Sequence, residues 1–263
     1  MSAIMAKSPG STNPLQYEML SLTHPGRVRE HNEDAVAFDA LAQVAVLADG
    51  MGGYAAGEVA SGMATAQICA RIARLKADYP KVTALDLSTE LRFAIRHVNV
   101  EILRAARGNP QFSGMGATLV AVAFTGNVAV VAHAGDSRIY LLRQNQLRLL
   151  THDHSALQEQ IDMGLILPED VEKIGGKNLV TRALGVDAKL EPDMAMHPMM
   201  AGDMLLLCSD GLNDMLSDAK IEAVLRQYTG HPSAAARQLV DDANAAGGRD
   251  NVSVILVLVR SQA

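Results

Sequence analysis

Five short acidic segments in this chain share one setting. Arg29–Asp34 (which carries Glu33 and Asp34), Asp49-Gly50, Gly135-Asp136-Ser137-Arg138, Ser209-Asp210-Gly211 and Arg249-Asp250-Asn251 each stand where an apolar, strand-like run meets a turn. The end of a strand is a rigid platform that can project a carboxylate into a shared cleft. A glycine after it lets the backbone turn sharply and offer its carbonyl as a further oxygen. Hard divalent cations such as Mg²⁺ and Mn²⁺ take oxygen donors of this kind, usually completed by water. One Asp-Gly alone is most often a turn. Five acidic turns bordering apolar strands are harder to set aside, because an uncompensated carboxylate near a core is costly.

The elements that would hold these groups can be read from periodicity. Tyr17–Thr23 and Ala35–Phe38 are short strand candidates around the turn His24-Pro25-Gly26, and Ala42–Ala48 is a buried strand ending at Asp49. Residues Ala55–Ala77 and Leu85–Arg107 space their apolar side chains as amphipathic helices. From Gly116 to Leu150 the pattern switches to four strands in a meander, broken at Gly126-Asn127 and Gln144-Asn145. Ser155–Met163 reads as a helix capped by Ser155, Leu190–Met196 and Asp203–Cys208 as strands, Ile221–Tyr228 and Ala234–Asn244 as helices, and Val252–Val259 as a final strand. Strands in runs and helices in pairs predict an α+β arrangement of antiparallel sheets with helices outside, rather than alternating βαβ units. Residues 1–14 read as a flexible tail.

Composition narrows the function classes. A net charge of −6 without a basic stripe disfavours nucleic acid as a partner. Only Cys69 and Cys208 are present, each in an apolar segment, so a disulfide framework or zinc site is not expected and a reducing cytoplasm fits. The run Gly114–Gly135 carries no formally charged side chain, but Thr118, Thr125, Asn127 and His133 interrupt it, and two buried strands joined by a tight turn explain it better than a membrane span.

The acidic segments belong to longer strings that occur in a fixed order. These are RxxxED at Arg29–Asp34, VLADGMGGYAAGEVAS at Val46–Ser61, GDSRIYLL at Gly135–Leu142, LTHDHS at Leu150–Ser155, LVTRALG at Leu179–Gly185, LCSDGLNDML at Leu207–Leu216 and GRDNVSVILV at Gly248–Val257. Together they resemble the metal-dependent, type 2C class of protein phosphatases in its bacterial branch, over nearly the whole chain. The resemblance implies an αββα four-layer sandwich: two packed antiparallel sheets flanked by helix pairs, formed by residues 15–263 as a single catalytic domain with a flap at about 154–179. It implies that Asp49 bridges two metals, that the Gly50 carbonyl binds one, and that Asp210 and Asp250 bind the other. Glu33 and Asp34 would hold metal-bound waters or support the ligands from behind, Arg29 would clamp the phosphate, Asp136 with Asp210 would match a weaker third metal site, and Asn251 would orient its ligand neighbours.

The chemistry implied is hydrolysis of phosphoserine or phosphothreonine in proteins, with a eukaryotic-like serine/threonine kinase and its targets as expected partners and a monomer as the expected state. Phosphomonoester hydrolysis is very slow uncatalysed. Two Mn²⁺ or Mg²⁺ ions about 3.5–4 Å apart can ionise a bridging water, which would attack phosphorus in line without a covalent phosphoenzyme. Ser137 and Cys208 lie near the motifs but have no base beside them, so they are not read as nucleophiles. Many relatives place a His beside the Asp-Gly pair or after the following Gly-Gly. Here those positions hold Met51 and Tyr54, so a metal-held water is the expected proton donor, with His31 the other candidate.

Three rivals are weighed against this reading. Gly50–Ala55 fits G-x-G-x-x-A, but the acidic strand end that a dinucleotide site needs about twenty residues later is replaced by helix. An EF-hand lacks its alternating acidic loop. A catalytically inactive phosphatase-like binding or regulatory module would require losses among the metal ligands, and none is visible.

Overall fold

The computed structural model describes residues 15–52, 56–167, 170 and 179–262; the predicted tail, Tyr54 and much of the predicted flap lie outside that set. Two antiparallel sheets carry the molecule. In chain order the strands are β1 (Leu15–His24), β2 (Asp34–Asp39), β3 (Val44–Met51), β4 (Gly116–Ala117), β5 (Leu119–Thr125), β6 (Val128–Ala134), β7 (Arg138–Arg143), β8 (Gln146–Leu149), β9 (Asp193–Pro198), β10 (Met204–Cys208) and β11 (Val252–Ser261). One sheet has the order β1-β11-β10-β7-β8 and the other β2-β3-β5-β6-β9, with the two-residue β4 paired to β3. The helices are α1 (Ala56–Asp78), α2 (Ala84–Gly108), α3 (Ala156–Asp162), the single turn α4 (Asp210–Asn213), α5 (Asp218–Gln227) and α6 (Pro232–Ala245).

The central strands read as unbroken apolar runs because both of their faces are covered. In β3, Val44, Val46 and Ala48 pack under α1 and α2, while Ala45 and Leu47 face the opposite sheet. In β11, Val254, Leu256 and Leu258 pack under α5 and α6, while Ile255, Val257 and Val259 meet residues of the β2-β3-β5-β6-β9 sheet across the centre. The period of two thus divides each strand between two cores, and the layers are αββα. Helix α1 buries small residues, Gly57, Ala60, Ser61 and Ala64 among them, which lets it lie close on β3. Gly50 is required there: a Cβ would stand 2.3 Å from the Gly57 carbonyl oxygen.

The two hairpin turns fall where the sequence places them. Gly126-Asn127 joins β5 to β6, and Gln144-Asn145, with φ of 51° and 63°, joins β7 to β8 in the left-handed geometry that such turns need. The predicted four-strand meander is corrected, however. Strands β5 and β6 belong to one sheet and β7 and β8 to the other, because the chain crosses between sheets at Gly135-Asp136-Ser137. The strand expected at Leu190–Met196 begins only at Asp193, since Leu190 is buried against the helical core instead. Asp210, expected in a turn, opens the one-turn helix α4. Among the described residues no helix is long and apolar enough to cross a membrane, and the uncharged run after Gly114 is the β4–β6 region.

Candidate metal centre

Register places the acidic residues at one edge of the sandwich. Asp34 and Asp49 are direct partners across β2 and β3. Cys208 pairs with Val254 on one side and Arg138 on the other, so Asp210, Asp250 and Asp136 all lie just beyond the same end of their sheet. His24 pairs with Val252, which delivers the Arg29–Glu33 loop to that edge as well.

Local bonds fix these groups. Asn251 closes the loop against β11: its Oδ1 accepts the Glu33 N–H at 2.8 Å, and its Nδ2 donates to the carbonyls of Pro25 and His31 at 3.0 and 2.9 Å. The Gly50 N–H and the Ser61 hydroxyl both donate to the Glu33 carbonyl, at 3.1 and 2.6 Å. Ser209 donates its hydroxyl to Asp34 Oδ2 at 2.8 Å and accepts the Ser253 N–H. Asp49 is held by Thr118, whose backbone N–H donates to the Asp49 carbonyl while its hydroxyl accepts the Asp49 N–H. The same hydroxyl shares a hydrogen with Ser137 at 2.7 Å.

The carboxylates are buried near enough to one another to shift each other's titration. Burial, then the fields of Asp34 and Asp210, push the Asp49 carboxyl well above its ordinary range. Asp210 is also raised, by burial first and then by Asp214 and Asp250. Asp34 is raised mainly by burial, with Asp210 and Asp250 adding to it against the hydroxyl bonds that lower it. Asp136 is pushed up to about 7 by burial, followed by Asp210 and Asp153. Glu33 is raised by burial, against the opposing field of Arg29. Arg29 donates from a terminal nitrogen to Asp250 Oδ2 at 2.6 Å, and this bond is the largest cause holding the guanidinium charged.

Mutual repulsion among buried carboxylates is the condition a cation relieves. Two buried oxygens here, Asp34 Oδ1 and Asp210 Oδ1, have no hydrogen-bond partner among the described residues, which is rare for buried polar atoms. The donors are all oxygen, so the set fits Mn²⁺ or Mg²⁺ rather than a thiolate-loving metal.

The structure therefore gathers Arg29, Glu33, Asp34, Asp49, Gly50, Asp136, Asp210, Asp250 and Asn251 at one edge, and His31, exposed, lies on the same loop. Sequence reasoning missed four further participants. Asp214 follows Asp210 by one helical turn, and its carboxyl is raised by burial foremost. Asp153 receives a forked pair of bonds from Arg138, Nε at 3.0 Å and Nη2 at 2.7 Å, directly behind Asp136. Thr118 is the fourth. Asp153, Arg138 and Asp214 were visible inside the quoted strings, but no local pattern marks which motif residues face one another.

Comparison with known proteins shows the family and the fold. The family described as protein phosphatase 2C matches residues 26–243. The chain is 41% identical over 243 residues to the serine/threonine phosphatase stp of Listeria welshimeri, covering 89% of this chain and 93% of that protein. It is 41% identical over 231 residues to the serine/threonine protein phosphatase PstP of Mycobacterium tuberculosis, covering 88% of this chain and 43% of that longer one. A crystal structure of the PstP catalytic domain in complex with two manganese ions superposes with a TM-score of 0.81 at 38% identity, covering 94% of this chain and 99% of that one. The chain belongs to the protein phosphatase 2C family, so it is an enzyme, and its class is that of the serine/threonine phosphatases.

Proposed function

We propose that residues 15–263 form a single catalytic domain that removes phosphate from phosphoserine and phosphothreonine in proteins, using Mn²⁺ or Mg²⁺ held by the edge carboxylates. The observation that carries this reading is the convergence of Glu33, Asp34, Asp49, Asp136, Asp210 and Asp250 from five separate segments, with two buried oxygens left unpartnered. Asp49, Asp210 and Asp250, with the Gly50 carbonyl, would hold two cations; Glu33 and Asp34 would hold their water, and Asp136 with Asp210 would take a third. Bound there, the cations supply Lewis-acid activation of water and neutralisation of phosphoryl charge.

The chain's own residues position the reactants. Arg29 keeps its charge beside Asp250, and its planar fork suits two phosphoryl oxygens. Asn251 fixes the loop that carries Arg29 and Glu33. Among the described residues, Ser137 and Cys208, both buried, have no general base bonded to them: Ser137 bonds Thr118, Cys208 faces Asn213, and burial pushes the Cys208 thiol up to about 12. A protein nucleophile is therefore not part of the scheme. The partners proposed are a eukaryotic-like serine/threonine kinase and its targets, in a reducing cytoplasm.

The test is turnover of a phosphothreonine peptide by protein stripped with EDTA and then given Mn²⁺. Activity should vanish on stripping and return with the ion, and Asp49→Asn should lower the restored kcat by at least about a hundredfold. Activity that persists after complete stripping refutes the metal scheme. A folded parent that stays inactive with Mn²⁺ points to the non-catalytic binding module instead.

A further inference from the structure

Among the described residues, His133, His154 and Asp193 form a cluster outside the acidic edge, their potential ligand atoms all within 4.8 Å of one another. Its geometry is wrong for a cation. The two imidazoles stack with centroids 4.6 Å apart and planes 12° from parallel, so their in-plane lone pairs run side by side and do not meet. The His154 Nδ1 accepts the Gly135 N–H at 3.1 Å, which leaves the neutral ring's proton on Nε2. That proton faces Asp193 Oδ2 at 3.3 Å. His133 Nε2 is likewise committed, to the His152 carbonyl at 2.8 Å.

What His154 does is join two parts of the molecule. Its backbone N–H donates to the Gly135 carbonyl at 3.0 Å, so both polar backbone groups of Gly135 are taken by one residue. Gly135 immediately precedes Asp136 at the crossing between sheets. On its other side, the His154 carbonyl accepts the Thr181 N–H at 2.9 Å, and Ala156 N–H donates to Leu179 O at 2.8 Å. A β-bridge between Ser155 and Val180 completes a neck that closes the two ends of the intervening segment. Arg182 Nη1 lies 3.0 Å from His154 Nε2, and Asp193 reconciles these two donors by accepting from both, with Oδ1 2.6 Å from the guanidinium. A groove of about 470 Å³, lined by Thr181, Arg182, Val186, Lys189 and Asp193 among others, opens at this ion pair.

We propose that His154 is a positioning residue: it holds the Gly135-Asp136 turn from the neck, and so ties cation binding at Asp136 to contacts made at Arg182 and Asp193. The idea rests on the reading of Asp136 as a cation-holding carboxylate. The proposal can fail while that reading stands, and the variants below tell the two failures apart.

The test is a Mn²⁺ titration of the metal-stripped full chain, read by electron paramagnetic resonance of free Mn²⁺, in the parent and in Asp136→Asn, His154→Leu, His154→Asn and Asp193→Ala. The Mn²⁺ affinity that Asp136→Asn removes should weaken about tenfold in His154→Leu, the size typical of lost partners one bond away from a ligand. His154→Asn places an amide oxygen near the Nδ1 position and should restore that affinity to within about twofold of the parent, which a merely space-filling role would not do. Asp193→Ala removes an exposed side chain, is expected to fold, and should weaken the same component by about threefold, less than the tenfold of a direct partner because Asp193 acts only through His154. Unchanged binding in a folded His154→Leu, or in Asp193→Ala should His154→Leu not fold, overturns the proposal, as does an Asn variant no better than Leu. If Asp136→Asn itself leaves every Mn²⁺ affinity unaltered, the assignment of Asp136 is what fails, and the proposal falls with it.

Discussion

A carboxylate buried among other carboxylates carries a cost that a proton, a cation or a neutral substitute can remove. Asp136 shows the sign. Its folded pKa, about 7, lies above the ordinary value of 3.8, through burial first and the neighbouring Asp210 and Asp153 next. The group's contribution to stability is therefore full below about pH 4 and is lost as pH rises toward 7. In metal-stripped protein, Asp136→Asn should be more stable than the parent at pH 8 by about 2–4 kcal/mol, with the difference closing near pH 4, as read by urea unfolding. A variant less stable than the parent at pH 8 would contradict this assignment of cost. Arg29 acts on the substrate side: Arg29→Ala should raise KM for a phosphothreonine peptide about tenfold or more, the scale of a lost charge-assisted bond, with a smaller change in Mn²⁺ affinity. An unchanged KM would remove Arg29 from phosphate recognition.

At the scale of elements, the crossing between β6 and β7 matters most, because it brings Asp136 to the edge shared by both sheets. Gly135 has φ of 112°, and a Cβ there would meet the Thr118 side chain at 2.6 Å. Gly135→Ala should cost roughly 2 kcal/mol or more, whereas Gly126→Ala, also at positive φ but facing open space, should cost about 1 kcal/mol. Equal losses in thermal unfolding would mean that the crossing tolerates movement. This crossing was not legible in the sequence. Strands β6 and β7 are each covered on both faces, so their apolar runs look alike whether they share a sheet or not. The hairpins were legible because Gly126-Asn127 and Gln144-Asn145 announce their own backbone geometry. The same division holds for the site. Asp49, Asp210 and Asp250 sit beside turn residues that mark strand ends, whereas Thr118 and Asp153 act through partners 69 and 15 residues away and carry no local sign.

For the whole molecule, two sheets pressed together by a shared core make a single rigid edge, and that edge lets segments from residue 29 to residue 251 meet within hydrogen-bonding reach. Helix pairs on both outer faces seal the sheets and leave this edge to carry the polar chemistry. The central claim is that the edge is a cage for divalent cations, and the most direct measurement is anomalous scattering at the manganese edge from crystals of the protein grown with Mn²⁺. The account predicts at least two peaks among Asp49, Asp210 and Asp250, both lost in Asp49→Asn crystals. Peaks found only elsewhere, at His133 and His154 for example, or a carboxylate cluster that stays free of manganese at millimolar Mn²⁺, would contradict it.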